Sequence, residues 1–134
     1  MLNRINDTLD FHGQALSLRS DRQRLIASNI ANADTPGFVA RDFDLAQALR
    51  QATGSMTPAQ TPAVTQVGHI ATGAPGGATP SLLYATPSQT SLDRNTVDMD
   101  RERANFADNA VKYEATLRFI NAHVRTMLEA IKGQ

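Results

Sequence analysis

Cysteine is absent from the chain, which excludes a disulfide framework and any thiolate metal site. Tryptophan is absent too, and aromatic residues make up only 5% of 134 residues. A single domain of this length therefore has few large side chains with which to fill a deep core. No excess of one charge exists: 13 Lys and Arg stand against 13 Asp and Glu, without a run of either sign. That balance argues against nucleic-acid binding, which calls for a basic patch to neutralise phosphates. No segment approaches the roughly 18–20 apolar residues of a membrane span. The start, Met1-Leu2-Asn3-Arg4-Ile5-Asn6-Asp7, has no basic region followed by an apolar run. No cleavable secretory signal is expected, so a protein with this start leaves the cytoplasm, if it does, by a route needing none. Charge is missing altogether between Gln51 and Leu92, a stretch rich in Thr, Pro, Gly, Ala, Ser and Gln. Pro58, Pro62, Pro75, Pro80 and Pro87 forbid a continuous helix there, and Gly73 to Gly77 reads as a flexible tip.

The two ends of the chain carry helical periodicity. Leu2, Ile5, Leu9, His12, Leu16, Gln23, Ile26 and Ile30 recur at spacings of three and four, or seven, and predict a helix over 2–33. Phe11, Ala15, Leu18 and Leu25 form a second stripe beside the first, so this helix needs two neighbours. Gly13 weakens it by about 1 kcal/mol relative to Ala, and the first dozen residues are expected to be frayed or separately oriented in an isolated subunit. Near the other end Met99, Arg103, Phe106, Ala110, Tyr113, Leu117, Ile120, Val124, Met127 and Ile131 alternate in fours and threes without a break. They predict a helix over 98–132, roughly 50 Å long at about 1.5 Å per residue. Asp98 is the expected N-cap, Asp100 and Glu102 suit the positive end of the helix dipole, and Lys132 with Gly133 suit the other end. Asp108 with Lys112 and Glu114 with Arg118 are expected ion pairs on a solvated face.

These patterns predict an all-α single domain over 1–134. Its long terminal helices pair as an antiparallel coiled-coil hairpin through Ile5, Leu9, Leu16, Ile26 and Ile30 against Met99, Phe106, Tyr113, Leu117, Ile120, Val124, Met127 and Ile131. A turn and extended segment over 34–50 follows the first helix, with Phe43, Leu45 and Leu49 anchoring a short helical piece. Residues 51–96 are expected to be irregular, with Val67 to Ala71 and Leu82 to Tyr84 as apolar islands docking on the helices. A lone helix pair buries little, and Val111, Ala115 and Ala122 add a further uncovered stripe on the second helix. An isolated subunit should be marginal, with stability supplied by neighbours.

The first helix is made to stop in Ala27-Ser28-Asn29-Ile30-Ala31-Asn32-Ala33-Asp34-Thr35-Pro36-Gly37-Phe38. Pro36 lacks an N–H and disfavours helix at Thr35, while Gly37 supplies the positive φ of a tight turn. Asn29 and Asn32 lie one turn apart among small residues, a surface that lets another backbone approach and offers it amides. The string resembles the N-terminal signature of the bacterial flagellar axial proteins of rod, hook and hook-associated structures, most of all the proximal rod proteins. Leu92-Asp93-Arg94-Asn95-Thr96-Val97-Asp98-Met99-Asp100-Arg101-Glu102, with Asn109 and Tyr113, resembles the opening of their C-terminal helix. The family usually has glycine where this chain has Arg94.

That resemblance implies a structural rod subunit that stacks helically through its terminal helices. Ser28, Asn29, Ile30, Ala31, Asn32, Asp34, Thr35, Pro36, Gly37 and Phe38 would be its assembly motif, and Asn95, Val97, Asp98, Asp100 and Glu102 the start of its C-terminal helix. The implied location is the basal-body rod in the periplasmic space, reached through the flagellar type III export channel without a cleaved signal. The implied partners are further copies, other proximal rod proteins of the FlgC and FlgF types, a FliE-type adaptor, the MS ring and the export gate. No cofactor, metal or nucleic acid is implied. Catalysis is not expected: His12, His69 and His123 are isolated, Ser28 has no paired base, and Gly73 to Gly77 lacks the Lys-Ser/Thr of a phosphate loop. The alternative from another class is a helical-hairpin adaptor or chaperone that binds one partner helix.

Overall fold

The structure, a computed structural model, describes residues 2–54, 80–85 and 92–133. The order of elements is α1 (Leu2–Ala31), β1 (Arg41–Asp42), α2 (Leu45–Ala52), β2 (Leu83–Tyr84) and α3 (Met99–Lys132). The long helices α1 and α3 pack against each other, and α1 runs through Gly13 without a break. The cross-helix contacts reverse in order along the two helices: Asn29 meets Glu102, Gln23 meets Asn109, and His12 stacks on Phe119 with ring centroids 6.2 Å apart.

Local chemistry sets the boundaries. After Ala31 the backbone tightens, with Ala33 N donating to Ile30 O and Thr35 N to Asn32 O. Thr35 to Phe38 then form a turn closed by Phe38 N donating to Thr35 O, with Gly37 at φ 72° in its third position. A proline followed by a positive-φ glycine is the chemistry of a type II turn. Asp98 caps α3 by accepting from Arg101 N at 3.2 Å, and Gly133 closes it in the left-handed region. Asp44 caps α2 in the same way, accepting from Gln47 N at 3.0 Å.

The only cluster of buried apolar side chains among the described residues lies between α1 and α2, where Leu18, Phe43 and Ala48 pack with Leu25, Leu45, Leu49 and Ala52. The second neighbour that Leu18 and Leu25 need is thus the chain's own α2. Two pieces of the stretch expected to be irregular are regular: α2 continues to Ala52, and Leu83-Tyr84 pair with β1 antiparallel, Arg41 opposite Tyr84. Leu83 and Tyr84 therefore extend a ladder on β1, while Leu82 lines a cavity with Asp21, Arg24 and Leu25 of α1. The island over 67–71 and the Gly73 to Gly77 tip fall outside the described residues.

Candidate functional site

Two sequence motifs some sixty residues apart meet at the end of α1, and three asparagines join them. Asn29 is 1% exposed. Its amide nitrogen donates to Arg41 O at 2.7 Å and to Glu102 Oε2 at 3.3 Å, while its oxygen accepts from Arg41 N at 3.0 Å. The backbone that approaches Asn29 is the chain's own β1, and the amide is fully occupied within the subunit. Asn32 turns back on its own helix, donating to Ser28 O at 2.8 Å, and its oxygen accepts from Thr35 Oγ1 at 3.1 Å. Asn95 does the most: its nitrogen donates to Asn32 O, Ala33 O and Thr35 O at 2.8 to 2.9 Å, and its oxygen accepts from Val97 N at 2.8 Å. The carbonyls of the turn that follows α1 are thereby tied to the segment that starts α3. Gly37 N donating to Asp93 O, Thr96 N to Phe38 O and Ala40 N to Thr96 Oγ1 complete the junction.

A charged group borders it. Arg22 holds Asp42 through two parallel bonds of 3.0 and 2.9 Å, which raise the guanidinium pKa above its ordinary value. Glu102, expected as an acid facing the helix dipole, is 8% exposed and sits in the α1–α3 seam beneath Asn29. Burial, with Asp42 adding to it, pushes the Glu102 carboxyl above its usual range; the bond from Asn29 and the charges of Arg101 and Arg22 oppose this.

The seam between the long helices continues in polar residues. Every buried side chain of α3 is polar: Glu102, Asn109 and Thr116, seven residues apart. Asn109 is wholly buried and donates to Arg19 O at 2.9 Å and Gln23 Oε1 at 2.7 Å. Its oxygen, with Nε and Nη1 of Arg19, is buried without a partner, and that burial lowers the pKa of Arg19. Tyr113, Ile120, His123 and Met127 are half-buried along the same face, as are Ile5, Thr8 and His12 of α1.

The apolar residues expected to pair are thus divided. Ile26 is fully buried, and Ile5, Met99, Tyr113, Ile120 and Met127 are half-buried. On α3, Leu117, Val124 and Ile131 lie on the heptad line immediately beside the seam and remain exposed, Ile131 at 81%. On α1, Leu9, Leu16 and Ile30 lie on a matching line and are half-buried. Both lines face the same side, because Ala27, Ile30 and Ala31 share one cavity of about 350 Å³ with Arg103 and Phe106. On that side Leu117, Val124 and Ile131 of α3 stay exposed. Of the turn motif, Ala31, Asp34, Thr35, Pro36 and Gly37 are exposed, while Ser28 and Phe38 are half-buried. At the start of α3, Asn95 is buried, Val97 half-buried, and Asp98 and Asp100 exposed. Sequence reasoning missed the Arg22–Asp42 pair and the seam position of Glu102; the Glu102, Asn109, Thr116 spacing was the available signal for the latter.

Among the described residues no group of three or more His, Asp or Glu is placed to hold a metal ion, and no helix is long and apolar enough to cross a membrane. Residues 9–38, which include the turn motif, match the family model described as flagella basal body rod protein. The flagellar basal body rod protein FlgB of Proteus mirabilis strain HI4320 is 47% identical over 137 residues, covering 98% of both chains. The FlgB proteins of Salmonella typhimurium and Escherichia coli K12 are 43% and 42% identical, each alignment covering 99% of both chains.

Proposed function

The chain belongs to the FlgB family of flagellar basal body rod proteins and is a structural, non-catalytic rod subunit, and from that premise we propose how it builds the rod. Its terminal helices form an antiparallel coiled-coil hairpin, and subunits stack helically through the outer faces of that hairpin. The stack forms the proximal rod, a drive shaft joining the MS ring and export gate to the distal rod in the periplasmic space. Its neighbours are further copies, FlgC- and FlgF-type rod proteins and a FliE-type adaptor. The chain reaches this place through the flagellar type III system.

One observation carries this reading: two long helices pair through a seam that is largely polar, while Leu117, Val124, Leu128 and Ile131 stay exposed on the helix that pairs. A subunit meant to stand alone would turn those residues inward. The turn motif has a matching part. Asn29, Asn32 and Asn95 are engaged within the subunit, so the motif fixes the angle at which α1 ends and leaves its exposed Asp34 to Gly37 tip for a neighbour. A free adaptor for one partner helix is not favoured, since the FlgB relatives align with the chain from end to end.

The test is circular dichroism with light scattering on the purified chain, alone and mixed with FlgC-, FlgF- and FliE-type proteins. Helicity that rises as large assemblies appear is the expected result. A monodisperse monomer of full helicity, unchanged by every one of these proteins, would sink the proposal.

A further inference from the structure

The small sheet has one closed edge and one open one. Arg41 pairs with Tyr84, and Ala85 N donates to Ala40 O at 2.9 Å, so the ladder bonds flank that pair. In an antiparallel ladder the N–H and C=O groups of such a pair point outward, away from each other. On the β1 side they are met: Arg41 N donates to Asn29 Oδ1 and Arg41 O accepts from Asn29 Nδ2, as a third strand would arrange. On the β2 side, Tyr84 N and O form no hydrogen bond among the described residues. Nothing among those residues guards this edge. Sheet edges are ordinarily blunted by charge or proline, whereas β2 is Leu83-Tyr84, 55% and 65% exposed, in a stretch without charge from Gln51 to Leu92.

The edge runs between two cavities of different chemistry. At its start Pro80 and Leu82 line an apolar cavity of about 390 Å³ with Leu25 and Phe43. At its end Tyr84 and Ala85 line a polar cavity of about 450 Å³ that takes in Arg41 and Arg101. The four carboxylates of the polar cavity are each engaged: Asp42 by Arg22, Asp44 by Gln47 N, Asp98 by Arg101 N and Glu102 by Asn29. The guanidinium groups of Arg41 and Arg101 make no hydrogen bond or ion pair among the described residues. A carboxylate is therefore the complement of this cavity, since arginine takes one through paired bonds.

We propose that the outer edge of β2 receives an extended segment of another protein as a third strand, with an apolar side chain at the Leu82 end and a carboxylate two residues away at the Tyr84 end. Main-chain bonds to Tyr84 supply the attachment, and the two cavities read the side chains. The spacing follows from strand geometry: residues opposite Leu82 and Tyr84 share one face, the face that carries Arg41. A second copy of this chain has no such segment to give. Its acids outside α1 and α3 are Asp34, Asp42, Asp44, Asp93 and Asp98, and each already sits in a turn, in β1 or at a helix cap. The surface is separate from the faces of the long helices, so the inference stands apart from the rod-subunit reading.

The probes are blocked pentapeptides: Thr-Glu-Thr-Leu-Thr, whose order suits antiparallel addition, Thr-Leu-Thr-Glu-Thr for parallel addition, and the Lys-for-Glu analogue of each. Amide NMR spectra of the full-length chain are recorded as each peptide is added up to millimolar concentration. The expected result is a saturating shift of the Tyr84 amide with one Glu peptide, and binding about tenfold weaker with its Lys analogue. Tyr84→Pro removes only the outward N–H, which no ladder bond uses, so it should abolish binding, read at Ala85, with the urea midpoint unchanged. Arg41→Gln combined with Arg101→Gln should keep binding but erase the preference for Glu, and this pair keeps the test decisive whatever Tyr84→Pro does to the fold. Equal binding of the Glu and Lys peptides by the wild-type chain would overturn the carboxylate. No shift at Tyr84 with any peptide, or binding undiminished in Tyr84→Pro, would overturn the edge. A wild-type dimer that is lost in Tyr84→Pro would overturn another protein as the occupant.

Discussion

Replacing Asn95 by Ala should unlatch the two ends of the chain from each other. The amide has two hydrogens and reaches three carbonyls, Asn32 O, Ala33 O and Thr35 O, so two bonds are fully formed at a time; the oxygen accepts a third from Val97 N. At roughly 0.5–1.5 kcal/mol net for each, three bonds amount to about 3 kcal/mol. Asp34 and Thr35 are exposed, so water can reach some of the freed carbonyls and the expected loss is about 2–3 kcal/mol. Against a stability of order 5–15 kcal/mol for an ordinary domain, that is a large share. The assay is urea unfolding followed by helical circular dichroism, with Asn95→Asp as the control that keeps an acceptor for Val97 N and loses both donors. Asn95→Asp should fall between wild type and Asn95→Ala if the protons matter, or below Asn95→Ala if its new charge repels the three carbonyls. Hydrogen exchange should at the same time rise at Ala33 and Thr35 and change little near Leu18. A loss under about 0.5 kcal/mol for Asn95→Ala would refute the idea that this side chain ties α1 to the start of α3.

Further outcomes follow from single features. Arg94 is the one non-glycine residue with positive φ among those described, at 59°, so Arg94→Gly should stabilise the chain by about 0.5–1 kcal/mol in the same urea assay. No gain would mean the backbone there is unstrained. Phe43→Ala removes the largest side chain of the α1–α2 cluster and should cost about 3–5 kcal/mol, with α2 exchanging its amides freely. Glu102 has a folded-state pKa above its unfolded value, so its favourable contribution is present at pH below the unfolded value and is lost as pH rises through the folded one. Glu102→Gln should therefore be more stable than wild type at neutral pH, with the advantage shrinking as pH falls into the ordinary carboxylate range. An advantage that is independent of pH would refute the assignment.

Much of this architecture is legible in the sequence because its signals are local. The spacing of apolar residues gives both long helices, Asp98 and Gly133 give the ends of α3, and Thr35-Pro36-Gly37 gives the turn. What is not legible depends on residues far apart. Nothing near Asn29 announces that its amide will be spent on Arg41 and Glu102, nor that Asn95 will find carbonyls some sixty residues earlier. The two residues of β2 carry too little pattern to stand out from the surrounding Thr- and Pro-rich stretch. The choice of seam is the deeper difficulty. On α3 the heptad lines through Phe106, through Glu102 and through Leu117 are adjacent, and apolar periodicity alone favours the first and the third. The structure buries the second and only half-buries the first, leaving Phe106 exposed, because the polar line has partners on α1: Asn29 for Glu102, and Gln23 with the Arg19 carbonyl for Asn109.

That choice has an energetic consequence for the isolated chain. Buried polar contacts exchange bonds to water for bonds within the protein, so they contribute little net stability but penalise every other alignment of the two helices. Sliding α3 by half a heptad would carry Glu102 from Asn29 toward Ile26 and leave its polar atoms bare, at about 1–3 kcal/mol for each unsatisfied group. The seam thus fixes register more than it supplies strength, and Arg19 and Asn109 already retain buried atoms without partners. Strength has to come from apolar area, and much of that area, on Leu117, Val124, Leu128 and Ile131, still faces water. On the rod-subunit reading a neighbour covers those side chains, at about 25 cal/mol for each Å² of apolar surface removed from water. On the proposed reading, the polar seam sets the alignment of the two helices and stacking supplies the apolar burial that the described residues lack.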